Sequence, residues 1–530
     1  MFSAVALPST AYEPKSPAQG ALHRVVLEHL ETFLAEAERA RSGERLPRFV
    51  EKEFRQFLTC GVLAGGFARF HCGTCGMDRL VPFSCKRRGF CPSCGGRRMA
   101  ERSAHLVDHV FPPVAVRQWV LSLPHRVRYV LVWDHALCRA VVAVYMRVVL
   151  GFLRRRAGAA GVRNGQSGAV AFVQRFGAAL NLNVHVHALV LEGVFAERSD
   201  GAVIFHPVAP PGDDDVAAVL AIVRDRILSL LQRRGLLDAA DGFVAPDVLA
   251  EEAPSLAGIS AASVVGSIAL GARAGARVRR CGEPSDPAQA PPLGRRHARL
   301  EGFDLHANVG APAGNRERLE RLCRYALRPP IAQDRLRLTA GGQVVLQLRR
   351  RWSDGTTHLL FAPIELLERL AALTPRPRVN LVLYYGVLGA RARWRARIVA
   401  SQPAAEESAQ GRARRRELSE GPARAKRPPD HTRGGEFTRR RSEIRAPEGG
   451  GQLWADLMRR TFGFDVLECP RCGARMRLVA TIEQRAVIER ILRHLRVPSE
   501  PPSPWPARPP PLDPDAFDSG VDLPVYETCA

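Results

Sequence analysis

The sequence predicts an α+β fold: a central sheet flanked by helices, preceded by a small zinc-binding module and followed by a disordered basic tail. Three observations predict it. Short apolar runs rich in Val alternate with amphipathic helical stretches between residues 113 and 400. Cysteines crowd between Cys60 and Cys94. From residue 401 the composition turns to Arg, Glu, Pro, Gly and Ser, with almost no large apolar side chain to bury.

Residues 21–42 place apolar side chains at helical spacing with charges between them, so an amphipathic helix is expected in an N-terminal helical segment, 1–54. The zinc-binding domain is expected at 55–112, with a helix at 97–111 leaving it. The third unit, 113–400, opens with WVLSLP at 119–124 and AVAFVQRF at 169–176, both read as strands, with one long helix at 126–156 between them. VHVHALVLEGVF at 184–195 reads as a buried strand, 213–236 as a helix and 281–295 as a Pro-containing loop. The helix at 315–328 is stopped by Pro329-Pro330. Strands at 335–339, 343–349 and 357–361, a helix at 363–373 and a strand at 379–387 complete the unit. A disordered basic linker is expected at 401–450, a small CxxC unit at 451–496 and a Pro-rich tail at 497–530.

The chain has 530 residues, 77 Lys+Arg and 53 Asp+Glu, so 77 − 53 gives a net charge of +24, with a pI near 10.6. Nearly all the positive charge is arginine. GC-rich coding trades Lys for Arg, but it does not create an excess over acid. The excess points to a polyanion, nucleic acid or an anionic membrane surface. No apolar run is expected to reach the roughly 20 residues that span a bilayer. The longest candidate, 136–153, is interrupted by Arg139 and Arg147. The N-terminus has no apolar core of a secretory signal, and clustered cysteines suit metal ligation in a reducing compartment, so a cytoplasmic protein is expected.

Cys72-x2-Cys75 and Cys91-x2-Cys94, fifteen residues apart, match a structural zinc pattern in which two knuckles complete a tetrahedron. These four are the expected Zn²⁺ ligands. Cys60 and Cys85 are left over, and Cys85 or His71 could take the place of one of the four. Arg87 and Arg88 belong to a basic rim that suits DNA phosphates. Cys469 and Cys472 form half a site, to be read as a degenerate ribbon or as one completed in a homodimer.

In the strand around 184–195, His185 and His187 share one face, with Val184, Val186 and Ala188 on the other. Two imidazoles side by side make a two-nitrogen metal site. In the helix at 315–328, Leu319, Leu322, Cys323, Ala326 and Leu327 form a buried stripe. Arg318, Arg321, Tyr325 and Arg328 lie on another face. This displays a phenol among guanidinium groups, whose planar forks suit phosphate.

The ordered set SCKRRGFCPSCGGRR (84–98), WVLSLP (119–124), LNLNVHVHALVLEGVF (180–195), GFDLHA (302–307) and LERLCRYALRPP (319–330) resembles rolling-circle insertion-sequence transposases of the HUH endonuclease superfamily, with an amino-terminal zinc-binding domain. The resemblance spans roughly residues 55–400. It implies an HUH-like central antiparallel sheet, catalytic Mg²⁺ or Mn²⁺ held by His185 and His187, and Tyr325 as the nucleophile. That tyrosine would nick single-stranded DNA at the element ends and form a 5′-phosphotyrosine link. Arg318, Arg321, Arg324 and Arg328 would grip the DNA backbone. Some relatives carry a second tyrosine four residues away; here those positions are Arg321 and Pro329, so a single-tyrosine form is expected. Candidates for a third metal ligand are Asn181, Asn183, Asp304 and His306. Two other readings share features with this one. A non-catalytic zinc-dependent DNA-binding protein would keep the cysteines and charge without needing the three catalytic side chains. A plasmid-type replication initiator or relaxase would share the chemistry.

Overall fold

The computed structural model describes residues 20–40, 43–238, 242–243, 247–282, 294–400, 459–460 and 465–509. The expected basic linker at 401–450 and the end of the Pro-rich tail lie outside the described residues. In chain order the elements are α1 (Ala21–Arg39), α2 (Arg48–Leu58), β1 (Phe67–His71), β2 (Asp78–Pro82), α3 (Pro92–His109), β3 (Val116–Ser122), α4 (His125–Trp133), α5 (His135–Ala159), β4 (Gly168–Phe176), β5 (Leu182–Leu191), β6 (Gly193–Glu197), β7 (Val203–Pro207) and α6 (Asp213–Arg233). There follow β8 (Leu237–Asp238), β9 (Gly242–Phe243), α7 (Val248–Glu252), α8 (Pro254–Val265), β10 (Arg279–Gly282), β11 (His297–Leu300), β12 (Phe303–Ala311) and α9 (Arg316–Leu327). The chain continues with β13 (Leu336–Leu338), β14 (Val344–Gln347), β15 (Thr356–Phe361), α10 (Pro363–Leu373), β16 (Val382–Gly386), α11 (Arg395–Ala400), β17 (Arg477–Ile482) and α12 (Arg485–His494).

The architecture is mixed α+β, as the sequence predicts. Its centre is a six-stranded antiparallel sheet in the order β11-β12-β3-β5-β4-β16. β5 lies inside, between β3 and β4, and nearly every residue along it is buried. Both of its faces are covered, and each face feeds a separate core. Val184, Val186, Ala188 and Val190 join Trp119 and Leu121 against α5. Leu189 and Leu191 face the other way, toward Leu106 and Val107 of α3 and Leu319, Leu322, Cys323 and Ala326 of α9. Each fully buried apolar side chain contributes about 1.5–3 kcal/mol. α9 is therefore fixed by its apolar stripe, and Tyr325 stays exposed.

The single helix expected at 126–156 is two helices. Asp134 adopts an extended conformation between them, and its carboxylate accepts from the Leu137 amide at 2.8 Å, capping α5. The apolar periodicity runs through this break, which hides it. α5 also corrects the expectation about apolar length: by length and composition it could cross a bilayer. Most of it is buried in the larger core, where Val141, Tyr145, Val148 and Phe152 pack, as in a soluble core helix.

A smaller three-stranded sheet, β17-β1-β2, joins the two ends of the chain. β17 pairs antiparallel with β1 from Phe67↔Ile482 to His71↔Arg477.

Candidate active site and metal centres

Sequence-distant elements bring the predicted catalytic side chains together. The ring centroids of His185 and His187 lie 4.9 Å apart on β5. The His187 ring meets the Tyr325 ring nearly edge-on, at 5.5 Å and 83°. The imidazoles are 8% and 3% exposed, whereas Tyr325 is 44% exposed. The histidines thus form a dry floor, and the phenol is open to solvent. α9 is set by local chemistry at both ends. Asn315 accepts from the Arg318 amide at 2.9 Å, and Arg328 is extended (φ −55°, ψ 146°) before Pro329. Its last turn is also held from the sheet. Gln174, opposite His185 on β4, donates to the carbonyls of Tyr325 (3.2 Å) and Ala326 (2.7 Å). That bond joins the helix carrying Tyr325 to the strand beside the histidines.

The donor set fits a cation. His185 Nδ1 donates to the Asn183 carbonyl at 2.9 Å, which leaves Nε2 with a free lone pair. Gln118 Nε2 lies 2.9 Å from His187 Nδ1; with the amide turned so that its oxygen faces the ring, that oxygen would accept from Nδ1–H and leave Nε2 as the acceptor. His187 Nε2, Gln174 Oε1 and Asn183 Oδ1 are all buried without a hydrogen-bond partner. Such orphaned acceptors cost about 1–3 kcal/mol each unless something binds them. Of the candidates for a third ligand, Asn183 lies on the histidine face of β5. Asp304 and His306 sit two strands away, at the register positions Asp304↔Ser122↔His185 and His306↔Val120↔His187. That separation is about 10 Å. Asp304 is engaged by His297 at 3.0 Å and Arg299 at 2.7 Å. Among the described residues, no further His, Cys, Asp or Glu completes the pair.

Burial pushes His185 down to about 4; Arg328 and Arg128 add to this, and the bond to Asn183 opposes it. Burial, His185 and Arg328 hold His187 well below its ordinary range. Both are therefore neutral, as ligands must be. An unfolded imidazole binds its proton near pH 6.5, and folded His185 only near 4. The stability it contributes is whole above pH 6.5 and is lost as pH falls toward 4. Between pH 7 and pH 5 the wild type should lose about 2 kcal/mol more than His185→Asn, measured as unfolding free energy in urea.

The arginines divide. Arg318 and Arg321 are exposed beside Tyr325, with Arg321 loosely paired to Glu317 at 3.5 Å. The Arg328 guanidinium lies 4.1 Å over the Tyr325 ring. Arg324 turns away and pairs with Glu320 at 2.6 Å. A cleft of about 450 Å³ opens between the cysteine-rich module and the sheet. It is lined by Lys86, Arg87, Arg88, Arg98, Arg376 and Arg378, and by Gln174, Phe176 and Arg328. Arg376 and Arg378, absent from the sequence expectation, come from the loop after α10, where only the fold makes them neighbours of Arg87. Gln118 and Gln174 were missed too, because nothing in an isolated glutamine on a strand marks a role.

The expected four-cysteine site is not formed as predicted. Cys91 and Cys94 meet Cys60 and Cys85, whereas Cys72 and Cys75 meet Cys469 and Cys472. In the first cluster, the sulfurs of Cys60–Cys91, Cys60–Cys94 and Cys85–Cys94 are 3.5, 3.7 and 3.4 Å apart. A tetrahedral Zn²⁺ with Zn–S near 2.3 Å requires edges of about 3.8 Å. The spacing is far beyond a disulfide's roughly 2 Å, so the cluster fits zinc. The regrouping has a local cause. Cys91 is the residue before α3, whose first residue is Pro92. Gly95 is helical there and packs so closely on Pro329 that a Cβ would lie 2.6 Å from the proline. Gly95 thus lets the module's helix meet the end of α9.

Residues 26–123 match the family described as "Transposase zinc-binding domain", and residues 168–395 match the family described as "Putative transposase". The first match takes in the cysteines from Cys60 to Cys94, and the second takes in His185, His187 and Tyr325. No curated protein and no solved structure matches the chain.

Proposed function

We propose that the chain is an IS91-type transposase with an amino-terminal zinc-binding domain, and that it nicks and rejoins single-stranded DNA through Tyr325, in rolling-circle transposition of an insertion sequence. The observation that carries this reading is the contact of Tyr325 with His187, beside His185; the end of the tyrosine's helix, at Ala326, Leu327 and Arg328, lines the basic cleft.

The strand lies along the cleft, its phosphates met by Arg87, Arg88 and Arg378 and its bases open to stacking on Phe176. Arg318, Arg321 and Arg328 hold the phosphates around the scissile bond. The Tyr325 oxygen attacks phosphorus and gives up its proton to solvent. A P–O bond to tyrosine forms, the P–O3′ bond breaks, and O3′ leaves as a hydroxyl after taking up a proton. Another 3′-hydroxyl reverses the step. The phosphodiester energy is conserved throughout, so no nucleotide is consumed. His185 and His187 would hold Mg²⁺ or Mn²⁺, with the amide oxygens of Gln174 and Asn183 within the same buried group. Such an ion supplies charge stabilisation to the phosphate oxygens. Gln174 keeps the end of α9, and with it Tyr325, in place. The reducing cytoplasm suits the cysteine clusters. A non-catalytic DNA-binding protein would not need these three side chains to converge.

The test uses single-stranded oligonucleotides from the flanking element ends, incubated with the protein and Mg²⁺ or Mn²⁺. A covalent protein–DNA adduct that carries the 5′ phosphate is expected, with a free 3′-hydroxyl on the released fragment. Cleavage without an adduct, or cleavage only of duplex DNA, would overturn the reading.

A further inference from the structure

We infer that Cys72, Cys75, Cys469 and Cys472 bind a second structural zinc ion, which clasps the C-terminal unit onto the amino-terminal domain. Neither family match reaches Cys469 or Cys472. The sulfur pairs Cys72–Cys472 and Cys75–Cys469 are 3.5 and 3.6 Å apart, close to the edges of a Zn²⁺ tetrahedron.

The two turns have the same construction. In one, the Gly76 amide donates to the Cys72 carbonyl and the Cys72 amide to Met77, each at 2.9 Å. In the other, the Gly473 amide donates to the Cys469 carbonyl and the Cys469 amide to Ala474, each at 2.8 Å. Gly76 and Gly473 take left-handed φ values of 72° and 71°. Backbone amides of Thr74 and Cys75 reach the Cys72 sulfur, and those of Arg471 and Cys472 reach the Cys469 sulfur. Together the turns make a two-knuckle ribbon, with β1 and β2 from one end of the chain and β17 from the other. Zinc suits it because all four donors are thiolates and the shell is closed by Met77 and Met476.

The surrounding contacts place the unit but are small. Ile488 and Leu492 of α12 cover Phe67. The Trp505 amide donates to Leu27 of α1 at 2.9 Å. Arg460 bridges Asp108 of α3 (2.6 Å) and Glu320 of α9 (2.8 Å). The clasp therefore gathers the zinc module and the nucleophile's helix under one C-terminal segment.

Zinc is counted by elemental mass spectrometry on purified full-length protein. Cys469→Ser with Cys472→Ser should hold one zinc fewer than wild type, and Cys472→His, which keeps a ligand, should hold as many. An unchanged count in the double serine variant would overturn the assignment, as would disulfides found at these cysteines in wild type purified under reducing conditions. A second measurement does not depend on the variant folding. A protease site inserted between residues 430 and 431 is cut in the otherwise natural chain. The halves should co-elute in zinc buffer and separate after chelation. Separation in zinc, or persistence without metal, would count against the clasp. The zinc count is independent of DNA cleavage, so it fails or succeeds apart from the transposition reading.

Discussion

Tyr325→Phe is expected to abolish the covalent DNA adduct and to lower strand cleavage by roughly 10⁴-fold or more, since removing a nucleophile costs on that scale. The substitution deletes one oxygen at a position that is 44% exposed, so nothing in the core is disturbed. The ring keeps its edge-on contact with His187 and its place under Arg328. Binding of a single-stranded oligonucleotide should change less than about threefold, because the arginines proposed to meet the phosphates are untouched. Denaturing gel electrophoresis with a strand labelled at its 3′ end reads the adduct, and fluorescence anisotropy reads the binding. An adduct that survives in the variant would place the nucleophile elsewhere.

His185→Ala with His187→Ala is expected to lower cleavage by about 10³-fold and to remove its response to Mg²⁺ and Mn²⁺, because a bound cation supplies several kcal/mol of charge stabilisation. Stability should not fall to the same degree. Two buried imidazoles are lost, but so is the cost of keeping them neutral and partly unsatisfied. The rate against metal concentration, measured beside a thermal melt, separates the two effects. A double variant that unfolds with a melting temperature like the wild type's and still cleaves in proportion to Mn²⁺ would remove the pair from the reaction.

Much of this architecture was legible because its signals are local. Asn315 before α9 and Pro329 after it bracket the helix to within a residue, and Pro363 opens α10 where expected. Alternation along β5 gave the face of His185 and His187, which needs only the pleat. What failed was pairing at a distance. β1, five residues of mixed polarity, pairs with β17 from far along the chain, and β12 pairs with β3, likewise distant in sequence. The break at Asp134 was hidden by apolar periodicity on either side. The cysteines are the clearest case. Cys72-x2-Cys75 and Cys91-x2-Cys94 look like equivalent halves of one site by spacing alone. Their backbones differ: a left-handed glycine comes after Cys75, but a helix begins after Cys91. The turn that matches Cys72-x2-Cys75 in conformation is Cys469-x2-Cys472, and no spacing rule reaches across that distance.

The 394 residues that separate Cys75 from Cys469 also set an order of events during synthesis. Ribosomes add about 5–20 residues per second, so on the order of 20–80 s pass between the emergence of the two knuckles. For that interval the first knuckle offers two thiolates and an unpaired edge of β1 to whatever is near. The sheet carrying His185 and the helix carrying Tyr325 can form meanwhile from contacts within 116–386. Closing the ribbon therefore waits for residues 465–482, which emerge after every strand of the six-stranded sheet.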